Sequence, residues 1–172
     1  MKKVLKVALM SGFLASAFLV GCGSDSLADI EKKLDKGGLD RSEKKELLDK
    51  REELREKLKV EKAGEAEKYA NDFIEALKNN DLNKALSFNE NADEKFKENV
   101  ELVSKAMSSK ELKFVKKESG AYGNFIAFDF TYTLDGKEIS VRSVFDGEKE
   151  TWRKIEFLNC GSGIDTCKKF FG

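Results

Sequence analysis

The run Phe125-Ile126-Ala127-Phe128-Asp129-Phe130-Thr131-Tyr132-Thr133-Leu134, followed by Asp135-Gly136, decides the fold of this chain. Side chains in a strand alternate between faces, so Ile126, Phe128, Phe130, Tyr132 and Leu134 share one face of a long strand. Asp135-Gly136 is a strong hairpin signal, because a two-residue turn of this kind needs two positive φ angles. Beyond it, Ile139, Val141, Ser143 and Phe145 alternate with Ser140, Arg142 and Val144, which predicts the return strand. Asp146-Gly147 turns the chain again, and Glu150 to Leu158 reads as a last strand carrying Trp152. Upstream, Leu112-Lys113-Phe114-Val115 opens an extended run that Gly120 to Gly123 turns into the central strand. Four strands in sequence joined by short turns predict an antiparallel meander.

Helical spacing replaces this alternation before residue 110. Ala66, Tyr69, Ala70, Phe73, Ile74 and Leu77 recur three and four apart, a broad apolar face on a helix ending at Asn79-Asn80. Asp81 can cap a short helix with Leu82, Ala85 and Leu86. A third helix, from about Asp93 to Ser108, aligns Phe96, Val100, Val103 and Met107. Three helices followed by a meander predict an α+β domain with three N-terminal helices packed on a curved four-stranded antiparallel sheet, the first helix laid across one face.

Residues 66–85, Ala-Glu-Lys-Tyr-Ala-Asn-Asp-Phe-Ile-Glu-Ala-Leu-Lys-Asn-Asn-Asp-Leu-Asn-Lys-Ala, resemble the long helix, polar break and second helix that open domains of the nuclear transport factor 2-like, or cystatin-like, superfamily. Residues 146–155, Asp-Gly-Glu-Lys-Glu-Thr-Trp-Arg-Lys-Ile, are similar to their final hairpin. The resemblance covers roughly residues 64–158. It implies a roll with a hydrophobic cavity between the first helix and the sheet, used either for enzymes on small apolar molecules or for binding. In that cavity Tyr69, Phe73, Phe128, Phe130 and Tyr132 are the candidate ligand-lining residues. Filled core is the alternative for each of them, since a domain of this size needs apolar volume. Eleven of the chain's 13 phenylalanines follow residue 70 and supply it.

Enzymes of this superfamily use an aspartate base with tyrosine donors, or an aspartate–histidine pair. The chain has no histidine, so the second chemistry is excluded. Asp129 is the one candidate base, but it lies three residues from Tyr132 and therefore on the opposite face. No catalytic constellation is visible, and a non-enzymatic protein is expected. No phosphate-cradling glycine loop or dinucleotide fingerprint occurs. Neither a cofactor nor a metal is expected, the commonest zinc and copper ligand being absent.

The stretch from Leu27 to Lys62 is highly charged. Leu27, Ile30 and Leu34 mark one face of a helix that Gly37-Gly38 stops, and Asp40 with Glu43 forms a capping box opening a second helix. Leu47, Leu54 and Leu58 line that helix thinly, interrupted by Arg51. Pairs such as Glu46–Lys50 and Glu53–Lys57 support it at four-residue spacing. This segment reads as a solvated spacer lifting the domain off a membrane. A helical hairpin or coiled coil that docks a partner is the alternative.

The membrane enters through the first residues. Lys2, Lys3 and Lys6 precede an uncharged stretch from Val7 to Val20, which ends in Leu19-Val20-Gly21-Cys22. That stretch is short for a permanent span and its small-residue end marks a cleavage site. It resembles the lipobox of bacterial lipoproteins, which implies a diacylglyceryl thioether on Cys22, cleavage of the Gly21–Cys22 bond and acylation of the new amino group. The expected organisation is a signal peptide over 1–21, a lipidated tether over 22–26, a charged helical stalk or hairpin over 27–62, and the roll domain over 63–172. The leader holds three lysines and no acid, so the chain from Cys22 onward has 29 basic and 32 acidic residues, a net charge of −3. Such a balance holds neither nucleic acid nor an anionic membrane, and attachment must come from lipid. The expected location is the bacterial cell envelope, with the outer membrane favoured in a two-membrane host because no aspartate follows Cys22.

In an exported protein, Cys160 and Cys167 are expected to close a disulfide across the glycine-bearing loop between them. The ending Lys168-Lys169-Phe170-Phe171-Gly172 reads as a loose tail or a segment touching headgroups or a partner. The function expected from these residues is a membrane-tethered lipoprotein whose roll binds a small apolar ligand or an envelope protein partner. The alternatives are an assembly lipoprotein acting through its charged helices and an envelope enzyme built around Asp129.

Overall fold

The computed structural model describes residues 25–108, 110–160 and 164–171. The signal peptide, Cys22 and the glycines between the two other cysteines lie outside them. The order is α1 (Leu27–Lys36), α2 (Arg41–Lys78), α3 (Leu82–Ser87), α4 (Glu94–Met107), β1 (Leu112–Tyr122), β2 (Phe125–Leu134), β3 (Lys137–Asp146), β4 (Thr151–Phe157) and, after a short turn of 3₁₀ helix at Leu158–Cys160, α5 (Ile164–Phe171). The four strands form one antiparallel sheet in the order β1-β2-β3-β4. The α+β class and the meander agree with the sequence.

Local chemistry sets the element ends. Ser26 and Asp29 make a capping box on α1, and Asp40 and Glu43 make another on α2. Asp135 and Gly136 take φ of 51° and 78°, the pair of positive values that a two-residue hairpin needs. β3 pairs with β2 from Leu134↔Lys137 to Phe125↔Asp146. One face of the sheet carries Ile126, Phe128, Phe130, Ile139, Val141, Phe145 and Ile155, each at most 1 % exposed. The second half of α2 lies across this inner face, and Ala66, Ala70, Phe73 and Leu77 are buried against it. α3 and α4 complete the layer.

Three features differ from the sequence reading. First, the helix expected to begin near Gly64 is the second half of α2, so the expected division at residues 62 and 63 falls inside one continuous helix of 38 residues. Gly64 is exposed there with nothing within 4 Å of where its Cβ would stand. A glycine inside a helix costs about 1 kcal/mol relative to alanine, too little to break a helix held at both ends by tertiary contacts. Second, α1 folds back on the first half of α2, which is the hairpin alternative and not the solvated spacer. Leu27, Ile30 and Leu47 are buried, and Glu31 faces both Arg51 and Arg55 at 3.4 and 3.5 Å. Third, the expected loose tail is α5. Its Cys167 is fully buried and Phe171 packs against the core. Cys160 and Cys167 are joined as expected, with Cα atoms 4.2 Å apart.

The folded-back hairpin touches the sheet at its β1–β2 and β3–β4 turns. A Cβ on Gly147 would stand 2.8 Å from Leu27 Cδ2 and 3.0 Å from the Asn124 carbonyl oxygen. Gly147→Ala should therefore lower the unfolding free energy by about 1–3 kcal/mol, the usual cost of overpacking. Gly120→Ala, which meets nothing within 4 Å, should change it by less than about 0.5 kcal/mol. Urea unfolding of both variants checks the contrast.

Candidate functional site

The five residues expected to line an interior cavity fill that space themselves. Phe73, Phe128 and Phe130 are at most 1 % exposed and Tyr132 is 4 % exposed. Phe73 packs its ring 5.7 Å from Phe88, 6.5 Å from Phe96 and 5.4 Å from Phe157, centroid to centroid. Tyr69 is half-buried, stacks on Trp152 at 5.2 Å and donates its hydroxyl to the Phe88 carbonyl at 3.0 Å. The Tyr132 hydroxyl donates to Asn71 Oδ1 at 3.0 Å. The structure thus brings all five together between α2 and the sheet, as core.

Burial raises the pKa of both phenols from the ordinary 10.0 to about 12, with the Glu67 carboxylate adding to the effect at Tyr132. A phenol with a raised folded pKa binds its proton more tightly in the folded state. The stability it supplies is complete below pH 10 and falls as the pH climbs from 10 to about 12. Unfolding free energies measured across that range should decline, and Tyr132→Phe should flatten part of the decline.

Asp129 lies on the opposite, outer face of the sheet, as its alternation with Phe128 and Phe130 requires. Its two carboxylate oxygens accept from Arg142 Nε at 2.7 Å and Nη2 at 2.8 Å. The cross-strand register Asp129↔Arg142 sets this pair. The two-pronged guanidinium occupies lone pairs that a base would use. The one candidate catalytic residue is committed to a structural pair. Among the described residues no cluster of three or more acidic or cysteine side chains is placed to hold a metal ion.

An open space lies on this outer face. A cleft of about 630 Å³ runs from the sheet over β4 to the first turns of α4. It is lined from the sheet by Phe125, Arg142, Val144, Arg153, Lys154, Glu156 and Phe157, and from the helical side by Asn89, Asn91, Asp93, Lys95, Phe96 and Asn99. Two backbone bonds, Ile155 N–H to the Phe88 carbonyl and Glu90 N–H to the Arg153 carbonyl, both 3.0 Å, hold the α3–α4 connection against β4 and form the cleft wall. Asp93 caps α4 by accepting from Phe96 N–H at 2.8 Å.

Four cations and two carboxylates line this cleft. Arg153 is only loosely engaged, 3.4 Å from Glu90 and 3.8 Å from Asp146, and its guanidinium lies 5.5 Å from the centre of the Phe125 ring. Three carboxamides add both donors and acceptors. Asn99 is 8 % exposed and its Oδ1 has no hydrogen-bond partner. The sequence reading missed this site. Alternation does put Arg142, Lys154 and Glu156 on the polar face, but a polar sheet face normally signals only solvent. The wall from residue 88 to 93 comes from a connection whose docking no local pattern encodes.

No family model, curated protein or solved structure matches the chain.

Proposed function

We propose that this protein is a lipid-anchored, non-catalytic binding protein of the bacterial envelope, which holds a small polar ligand with a negative group in the outer-face cleft. The anchor is the diacylglyceryl group that the Leu19-Val20-Gly21-Cys22 lipobox implies on Cys22. The order of elements and the laying of α2 across the inner face support the cystatin-like roll as the body. The single observation that carries the binding reading is the contrast between the two faces. Phe73, Phe128 and Phe130 close the interior that an apolar ligand would need, while the outer face holds an open, cation-rich cleft with Asn99 Oδ1 unpartnered. Such a cleft suits a carboxylate or phosphate through Arg153 and hydroxyl or amide groups through the three asparagines.

Native mass spectrometry of the protein taken from its own envelope without denaturant tests this. A reproducible mass excess is expected, and Arg153→Glu should remove it. A bare mass for the unaltered protein, or an excess indifferent to Arg153→Glu, contradicts the reading.

A further inference from the structure

Four parts of the chain meet at one end of the sheet. The first turn of α1 brings Leu27, 4 % exposed, against Gly147 in the β3–β4 turn, with Leu58 of α2 beside it. Ile30, one turn further, is completely buried. Arg55, 6 % exposed, reaches from α2 to the β1–β2 turn and donates Nη2 to the Gly123 carbonyl. It also pairs with Glu31 of α1 and with Glu52 of its own helix, both at 3.5 Å. The two turns are themselves tied by Gly147 N–H donating to the Asn124 carbonyl at 2.8 Å. Even Asp25, before α1, is held, accepting from Lys33 Nζ at 2.6 Å. A buried guanidinium bridging a backbone carbonyl and a carboxylate is costly to separate, because the buried charge would lose its partners across the junction.

We infer that this junction is a clamp that fixes the membrane anchor against the turn end of the sheet, so that the body rests on the lipid surface and does not stand off on its charged helices. The inference depends on the lipid-anchor reading of Cys22. Leu27 is the fifth residue after Cys22, and a fully extended chain covers those five steps in about 17 Å at most. Had α1 and the 41–62 stretch of α2 been stacked end to end as a stalk, their rise would have put the body about 50 Å away. The hairpin cancels that length, because α1 starts at the sheet and α2 returns to it alongside. Its tip, residues 36–41, projects away from the clamp.

The chemistry of the clamped end fits contact by tether and not by charge. Glu148 and Glu150 stand with Lys149 in the β3–β4 turn, and Asn124 donates to Glu148 at 3.0 Å. A mixed turn of this kind is not drawn to anionic headgroups, so apposition should be insensitive to salt. The cleft begins at the same end, since Phe125 directly follows Asn124 and pairs with Asp146. Its ligand would then be bound next to the bilayer.

The lone tryptophan, Trp152, is the second residue of β4 and lies near the clamped end. The full lipidated protein is placed in phosphatidylcholine vesicles that contain dansyl-headgroup lipid, and energy transfer from Trp152 is measured after flotation. Strong transfer, unchanged by added salt, is expected. Inserting about twelve Gly/Ser residues between Ser24 and Asp25 adds a root-mean-square reach of about 20 Å without touching the fold, and transfer should fall severalfold. Protein that floats with the vesicles yet shows weak transfer, equal with and without the insert, overturns the clamp and leaves the anchor standing. Protein that does not float overturns both.

Discussion

Cys22→Ser should abolish fatty-acid incorporation into this protein, from full labelling to none. Exporting the Cys22→Ser chain behind a leader that is cleaved without lipidation, in place of residues 1–21, should move the protein from the membrane fraction to the soluble one. The chain from Cys22 onward carries a net charge of −3, with signs interspersed, and offers anionic lipid no field. No described helix is long and apolar enough to cross a bilayer. Two or three acyl chains anchor a protein stably while one does so only marginally, so losing all of them leaves no intermediate state. Metabolic labelling with a fatty-acid analogue, followed by flotation, reads both effects.

Phe73→Ala should cost about 3–5 kcal/mol, the usual range for truncating a fully buried phenylalanine. Against a typical total of about 5–15 kcal/mol this is the largest single-site loss expected in the body. Phe73 is 0 % exposed and three aromatic rings surround it, so the vacated space cannot refill from one flexible neighbour. Val60→Ala, on the solvent side of α2 at 79 % exposure, should change stability by less than about 0.5 kcal/mol. The comparison bears on function as well as stability. A phenylalanine lining an open apolar cavity already lacks contacts on one side, so its truncation would cost far less. A loss under about 1 kcal/mol for Phe73→Ala would return the interior to consideration as a ligand site.

The sequence shows the sheet almost completely, because alternation over ten residues and two Asp-Gly turns are local signals. The inner face of β2 is Ile126, Phe128, Phe130, Tyr132 and Leu134, as its periodicity requires. The caps at Asp40 and Asp81 are equally local and both form. What could not be read was the docking of one element on another. The thin stripe Leu27, Ile30 and Leu34 specifies an amphipathic helix but not the surface it covers. Only the assembled turns at Gly123 and Gly147 show why Arg55, a charged residue in a charged helix, is buried. α5 escaped notice because eight residues after a glycine loop carry little periodic signal. The disulfide to Cys160 and the packing of Phe171 hold it in place. The cleft has the same origin as the clamp. Its wall is a connection between helices, placed by two backbone bonds to β4.

Hydrogen exchange of the lipidated protein, compared between native envelope membranes and purified detergent-solubilised form, tests the binding reading most directly. Occupation of the cleft should slow exchange in residues 89–99 and 151–157 in the membranes, with β1 unchanged. Slowing confined to the hairpin tip at residues 36–50, with the cleft segments exchanging equally in both forms, would contradict it. That result would assign the contacts of this protein to its charged helices.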